Sequence, residues 1–421
     1  MNSPDELMQV VSSFPIDRHF VLQEKLDIRA RERTSLYPWR GQFSPGLVDL
    51  FLDIYAKEGT VVLDPFAGSG TTLFEATRRG HECYGAEINP AAVQLASMVR
   101  FTNLDEKARR EIFDLAEQLL EKYIGGFLPP TLFTAHVEDT IGTSINAAVE
   151  QMLNEAAGGF TYELLASSVM LAMGDGATLE AETLLKAYAR SKSIVSKLWF
   201  SPHACNVFLA DARNLSLPKS SVDLVITSPP YINVFNYHQN YRKAMELMGW
   251  RLLEVAPSEI GSNRKHRGNR FMTVVQYCMD MVQTLTEIER ILRPEGIFIS
   301  VIGRESRVRG IPFHNGQLLA LCAIGGSGFN LERWQERRFT NRFGKIIYED
   351  VLTLRPNCGT ANGEEFGRRV GVMALENALH TAEGEIRVDI EQAIMHSEAI
   401  QPSRRLVASL LKANSTGILR A

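Results

Sequence analysis

The segment Val61-Val62-Leu63-Asp64-Pro65-Phe66-Ala67-Gly68-Ser69-Gly70-Thr71-Thr72 constrains this fold more than any other stretch. Val61 to Leu63 reads as an apolar strand that ends on Asp64. Small residues follow, then a helical pattern carrying Leu73 and Ala76 that finishes at Arg78-Arg79-Gly80. Gly68 and Gly70 permit a tight turn and close backbone approach to a ligand. The turn is not a Walker loop, which needs a lysine after its spacer. Nor is it a dinucleotide fingerprint, because the third glycine position is unfilled. Asp64 at the strand end can meet a positively charged ligand group.

Two further strands end in the same way. Glu82-Cys83-Tyr84-Gly85-Ala86-Glu87 reads as the next strand, with Glu87 about seventeen residues past Gly70, where acidic side chains reach ribose hydroxyls in nucleotide-binding α/β folds. Asn206-Val207-Phe208-Leu209-Ala210-Asp211 is a third, and Asp211 is placed to accept from an adenine amino group. Three acid-tipped parallel strands put carboxylates along the edge where open α/β sheets bind ligands.

A fourth apolar run, Asp223-Leu224-Val225-Ile226, stops at Thr227-Ser228-Pro229-Pro230-Tyr231. Two prolines end the strand abruptly and stiffen the backbone. The result is a rigid corner with a hydroxyl, a carbonyl before a proline and an aromatic ring. Such a corner can hold an exocyclic amine from two sides and stack on the ring that carries it.

Together these blocks resemble the cytosine-N4/adenine-N6 DNA amino-methyltransferase family. Asp64 to Thr72 is similar to that family's S-adenosylmethionine loop, and Ser228-Pro229-Pro230-Tyr231 to its catalytic motif. Tyr37-Pro38-Trp39-Arg40-Gly41-Gln42-Phe43-Ser44-Pro45 is similar to the segment that lines the methionine end. Arg342-Phe343-Gly344-Lys345, with the run from Ile346 to Leu354, resembles the closing hairpin strand. The matching blocks cover roughly residues 36–100 and 203–356.

The resemblance implies a Rossmann-like class I methyltransferase fold of the α/β class, with a mostly parallel sheet. It implies S-adenosyl-L-methionine as cofactor, held by Phe43, Asp64, Pro65, Phe66, Ala67, Gly68, Ser69, Gly70, Thr71, Glu87 and Asp211. It assigns catalysis to Ser228, Pro229, Pro230 and Tyr231, with no metal. The Ser228 hydroxyl and the Pro229 carbonyl would bind the two amine hydrogens, and Tyr231 would stack on a flipped-out base. Serine ahead of the prolines favours cytosine N4 over adenine N6. An RNA or tRNA base methyltransferase is the more distant alternative. Double-stranded DNA is the implied partner, with a restriction endonuclease as a candidate second.

Composition agrees with a globular chain. Of 421 residues, 45% are hydrophobic and 22% charged, ordinary for a folded protein. Neither a membrane-length apolar run nor a signal peptide is evident, so a cytoplasmic protein is expected. Cys83, Cys205, Cys278, Cys322 and Cys358 lack metal-ligand spacing and read as reduced thiols. None follows a proline, as the nucleophile of a cytosine-C5 enzyme would.

Four regions are expected: residues 1–100 for the cofactor half, 101–202 for a helical insertion, 203–356 for the catalytic half, and 357–421 for a helical extension. Helical spacing of Leu119, Leu120 and Tyr123, then Leu164, Leu165, Val169 and Leu171, supports the insertion. In the extension, Ile386, Ile390, Ala393 and Ile394 predict a helix through residues 386–413. Charge separates along the chain. Residues 101–200 hold 8 Lys and Arg against 14 Asp and Glu, whereas 230–345 carry a net of about +7. Three basic clusters make up the excess: Arg264, Lys265, Arg267 and Arg270; Arg304, Arg307 and Arg309; Arg337-Arg338 with Arg342 and Lys345. They predict a rim that contacts DNA phosphates.

Overall fold

The computed structural model describes residues 3–27, 35–128, 144–156, 158–176, 178–232, 236–262, 266–340, 344–357 and 362–411. Nine strands run through it: β1 (Val61–Asp64), β2 (Glu82–Glu87), β3 (Cys205–Leu209), β4 (Val222–Thr227), β5 (Leu292–Gly303), β6 (Glu305–Val308), β7 (Ile311–His314), β8 (Phe329–Thr340) and β9 (Ile346–Pro356). Seven form one sheet in the order β3-β2-β1-β4-β5-β9-β8, and β6 and β7 pair as a separate hairpin. β3, β2, β1, β4 and β5 are mutually parallel. β9 inserts antiparallel between β5 and β8.

Both faces of the sheet are covered, as a parallel sheet requires. The period of two sorts the side chains. Val62, Leu224 and Ile226 enter one core with the helices Pro45–Tyr55 and Thr71–Arg78. Leu63 and Val225 enter the other with the helix Met272–Ile291, and Val222 joins them because the strand register shifts between Val222 and Leu224.

The region 101–202 is helical where described: Glu106–Ile124, Ile145–Glu155, Gly159–Met173 and Ala181–Ser196. Leu119, Leu120, Leu164, Leu165 and Val169 are buried, so the apolar stripes read from the sequence are core. Both ends of this region are tied by one side chain. The buried Arg109 guanidinium donates to the carbonyls of Phe101 (3.0 Å), Val195 (3.2 Å), Leu198 (2.5 Å) and Trp199 (2.9 Å). The Phe101 and Val195 carbonyls also accept from the Leu104 and Leu198 N–H groups, so Arg109 matters most to the Leu198 and Trp199 carbonyls, which would otherwise lack a donor.

The extension differs from the sequence expectation. It holds two helices, Gly363–Leu379 and Gly384–Met395, rather than one through residues 386–413. Beyond Met395 only two short 3₁₀ turns interrupt an extended path to Leu411. The first helix packs against Met272–Ile291 so closely that a Cβ on Gly371 would lie 2.5 Å from the Val275 Cα. Glycine there serves approach, not helix breaking. No helix among the described residues is long and apolar enough to cross a membrane.

Arg109 provides a direct test. Arg109→Met keeps much of the apolar stem but removes the donors, so it should cost about 3 kcal/mol of folding stability in denaturant titration. A loss below about 0.5 kcal/mol would mean that water or neighbouring groups satisfy those carbonyls.

Candidate active site

The carboxyl edge of the parallel strands carries the sequence-predicted groups. Asp64 ends β1, Glu87 ends β2, Ser228 directly follows β4, and Asp211 lies two residues beyond β3. All four line one pocket of about 860 Å³ of empty space, counting the part open to solvent. Phe43, Phe66, Ala67, Gly68, Ser69, Thr71 and Pro230 share its wall.

Asp64 organises the floor. One carboxylate oxygen accepts from the Thr227 hydroxyl (2.5 Å) and the Phe66 N–H (3.0 Å), and the other from the Thr72 hydroxyl (2.7 Å). One side chain thus joins the end of β1, the end of β4 and the first turn of the helix Thr71–Arg78. Burial pushes its pKa up to about 6, against the pull of those hydrogen bonds.

Glu87 accepts from the Gly68 N–H and the Asn89 N–H, both at 3.1 Å. Each oxygen takes one donor and keeps capacity for another. Burial outweighs these bonds and lifts its pKa to about 7.

Gly70 sits at φ 86°, where a Cβ would meet the Ala96 Cα at 3.0 Å. Its glycine therefore serves the turn and the packing of the following helix, not approach to a ligand. Gly68 is the glycine that reaches the pocket. The preceding segment closes one side. The Gln42 amide donates to the Ser69 hydroxyl at 3.1 Å, which donates to the Tyr37 carbonyl at 3.2 Å. Trp39 stacks on Tyr241 with ring centroids 6.3 Å apart.

At the corner, Ser228 and Pro230 are half-buried and face the pocket, while Pro229 is buried. The buried Tyr277 hydroxyl donates to the Pro230 carbonyl at 3.1 Å and braces the turn. Tyr231 packs its ring on Gly303 at the end of β5, and its hydroxyl stands beside the Ser228 side chain. Burial and the nearby Glu349 push the Tyr231 phenol well up.

Several expectations need correction. Asp211 lines the pocket, but its carboxylate is filled. Oδ1 accepts from the Arg213 N–H (3.0 Å) and Nε (2.9 Å), and Oδ2 from Arg213 Nη2 (2.7 Å) and the Leu406 N–H (3.1 Å). Four donors exhaust a carboxylate's acceptor sites, so Asp211 is a braced wall rather than an open acceptor. Burial alone would raise its pKa, but the Arg213 guanidinium wins and holds it below the usual value.

The second basic cluster is internally paired. Arg304 pairs with Asp350 (2.9 Å) and Glu336 (2.6 Å), Arg307 with Glu305 (2.9 Å), and Arg309 with Asp389 and with Glu385 (3.3 Å). Charges so neutralised are not poised for phosphates. In the third cluster Arg337 is buried on Glu349 at 2.5 Å. Arg267 and Lys345 are exposed, and Arg270 is half-buried. Arg264, Lys265 and Arg342 lie outside the described residues.

Tyr237 and Glu259 are pocket residues that the sequence did not single out. Glu259 accepts from the His238 N–H (2.7 Å) and pairs with its Nδ1 (2.8 Å). Neither occupies a strand end, so only the fold brings them there.

The strand order, with one antiparallel strand inserted next to last and a pocket at the carboxyl edge, defines a Rossmann-like class I methyltransferase fold. Residues 23–98 match the model of the N6_N4_Mtase family, described as DNA methylase. The Type II methyltransferase M.MjaII of Methanocaldococcus jannaschii is 32% identical over 96 residues, 22% of this chain and 18% of that protein. M.BsoBI of Geobacillus stearothermophilus is 24% identical over 276 residues, 52% and 54% of the two chains. M.MvaI of Kocuria varians is 34% identical over 96 residues, 22% and 20%. The aligned part thus spans about half of one relative and about a fifth of the other two. Residues 23–98 are thus similar to the N6_N4_Mtase DNA methylase family, and the three relatives share the name Type II methyltransferase.

The raised carboxyl pKa of Glu87 has a defined sign. The folded chain holds a proton there that the unfolded chain has lost, from pH 4.5 up to about 7. Its contribution to stability is therefore present in acid and lost as pH rises through that window. Measured by denaturant titration at pH 5 and pH 8, wild type should lose stability relative to Glu87→Gln. A difference that is constant with pH would contradict the shift.

Proposed function

We propose that this chain is an S-adenosylmethionine-dependent DNA methyltransferase that modifies an exocyclic base amine, cytosine N4 ahead of adenine N6. One observation carries the reading: Asp64, Phe66 to Ser69 and Thr71 of the loop, Glu87, and Ser228 and Pro230 of the corner line a single pocket. Its wall suits the cofactor, with Trp39, Phe43, Phe66 and Tyr237 for flat and apolar groups and two carboxylates for a cation and ribose hydroxyls. When bound, the cofactor supplies a methyl group on a positively charged sulfur that leaves without further activation.

The chain's own residues do the rest. Glu87 takes ribose hydroxyls on its remaining acceptor sites. A base amine is a weak nucleophile because its lone pair is delocalised into the ring. Ser228 Oγ and the Pro229 carbonyl accept its two hydrogens and draw the nitrogen toward tetrahedral geometry. No donor among the described residues reaches the Pro229 carbonyl. Catalysis is then mainly positioning on a corner that two prolines and the Tyr277 hydroxyl keep rigid. Tyr231 borders the site of the flipped base.

The family description and the relatives' names, DNA methylase and Type II methyltransferase, favour DNA as the substrate. Its backbone would rest on Arg267 and Lys345, with Arg264, Lys265 and Arg342 adjoining in sequence.

Mass spectrometry of nucleosides from DNA treated with the protein and cofactor is the test. N4-methylcytosine is expected. N6-methyladenine would show that Ser228 does not set base choice, and a product confined to RNA would overturn the substrate class. Ser228→Ala should slow transfer at least about tenfold while S-adenosylhomocysteine affinity changes by less than about twofold. Transfer at the wild-type rate would remove the corner from the mechanism.

A further inference from the structure

A buried triad sits behind the β3 end of the pocket. The Arg213 and Asp280 side chains have 0% exposure and Asp211 has 6%. Arg213 bridges the two carboxylates, at 2.7 Å to Asp211 and 2.8 Å to Asp280. Two negative charges and one positive leave the triad with an excess negative charge. Such a site needs further donors.

Those donors come from one extended segment, residues 400–411. The Ser403 N–H donates to Asp280 Oδ1 at 2.8 Å, and the Ser403 hydroxyl donates to Asp280 Oδ2. The Leu406 N–H donates to Asp211 Oδ2 at 3.1 Å. In return Arg213 donates to the carbonyls of Ser403 (2.7 Å) and Arg404 (2.9 Å), and Arg405 donates back to the Arg213 carbonyl.

The segment is anchored at both ends. Arg368 holds the Ile400 carbonyl at 2.8 Å, and the Leu411 carbonyl accepts from the Arg251 N–H at 2.7 Å. Ile400 is buried in the core on the Met272–Ile291 side of the sheet, and Leu411 in the core on the opposite side. The segment therefore crosses the ligand edge from one face of the sheet to the other. Midway it touches Asp211, whose neighbour Ala212 also lines the pocket.

We propose that residues 400–411 are a strap that sets the β3 end of the cofactor pocket, with Arg213 as the positioning residue that transmits its hold to Asp211. The proposal rests on the cofactor reading of this pocket. Without the strap, Asp211 and Asp280 lose three donors. Their excess negative charge then drives Asp211 out of its braced position. Order in the strap and order in the pocket wall are one equilibrium. A ligand that needs that wall must favour the strapped state, and the strap must favour the ligand by the same factor.

Limited trypsin digestion of the full chain reads this coupling, because Arg404 and Arg405 are exposed side chains on the strap. Saturating S-adenosylhomocysteine should slow cleavage at this pair at least about tenfold. Cleavage after the exposed Lys186, in the helix Ala181–Ser196, is the control and should change much less. Ser403→Ala, which removes one donor, should weaken S-adenosylhomocysteine about fivefold or more by calorimetry and raise the cofactor KM more than it lowers kcat. Unprotected cleavage at Arg404, protection no greater than at Lys186, or wild-type affinity in Ser403→Ala would each overturn the strap. Failure of wild type to bind S-adenosylhomocysteine at all would instead overturn the cofactor reading.

Discussion

The Asp64 carboxylate is the interaction on which the site depends. Its two oxygens tie the Thr227 hydroxyl at the end of β4 to the Thr72 hydroxyl at the start of the helix Thr71–Arg78. The Asp64–Thr72 loop and the Ser228–Tyr231 corner come from strands about 160 residues apart in sequence and adjacent in the sheet. Backbone pairing sets β1 beside β4, but it does not fix how the chain turns after each. A buried, hydrogen-bonded carboxylate does, because each lost bond would leave a polar group without water or partner. The cost appears as the upward shift of its pKa.

The other acidic strand ends share this double duty. Glu87 holds the Gly68 and Asn89 N–H groups and keeps room for more donors. Asp211 has no such room, because Arg213 and Leu406 occupy it. Three carboxylates that look equivalent in the sequence thus divide into an organiser, an open acceptor and a braced wall. Hydrogen-bond count, rather than residue type or strand position, makes the difference.

Much of the architecture was legible because its signals are local. Apolar runs tipped with Asp64, Glu87 and Asp211 announced strands that end on one edge, and the helical spacing of Leu119, Leu120, Leu164 and Leu165 announced helices that became core. What stayed hidden depends on partners distant in sequence. Counting arginines predicted a phosphate rim, but Arg304 and Arg309 find carboxylates on β9 and on the helix Gly384–Met395. Gly367 and Gly371 weakened the helical pattern of residues 363–379, although their small size lets that helix pack on its neighbour. Glu259 and Tyr237 reach the pocket from a stretch with no strand-end signature, and the strap is extended chain whose donors are mostly backbone N–H groups.

The most direct measurement is the affinity of Thr227→Val for S-adenosylhomocysteine, by calorimetry. Thr227 is fully buried at the end of β4 and is not part of the pocket wall. Valine is similar in shape but cannot donate to Asp64. If Asp64 couples the corner to the loop, the variant folds and binds S-adenosylhomocysteine at least about fivefold more weakly, through a residue that never touches it. Unchanged affinity in a folded variant would contradict that account, and would mean that the loop and the corner are organised independently.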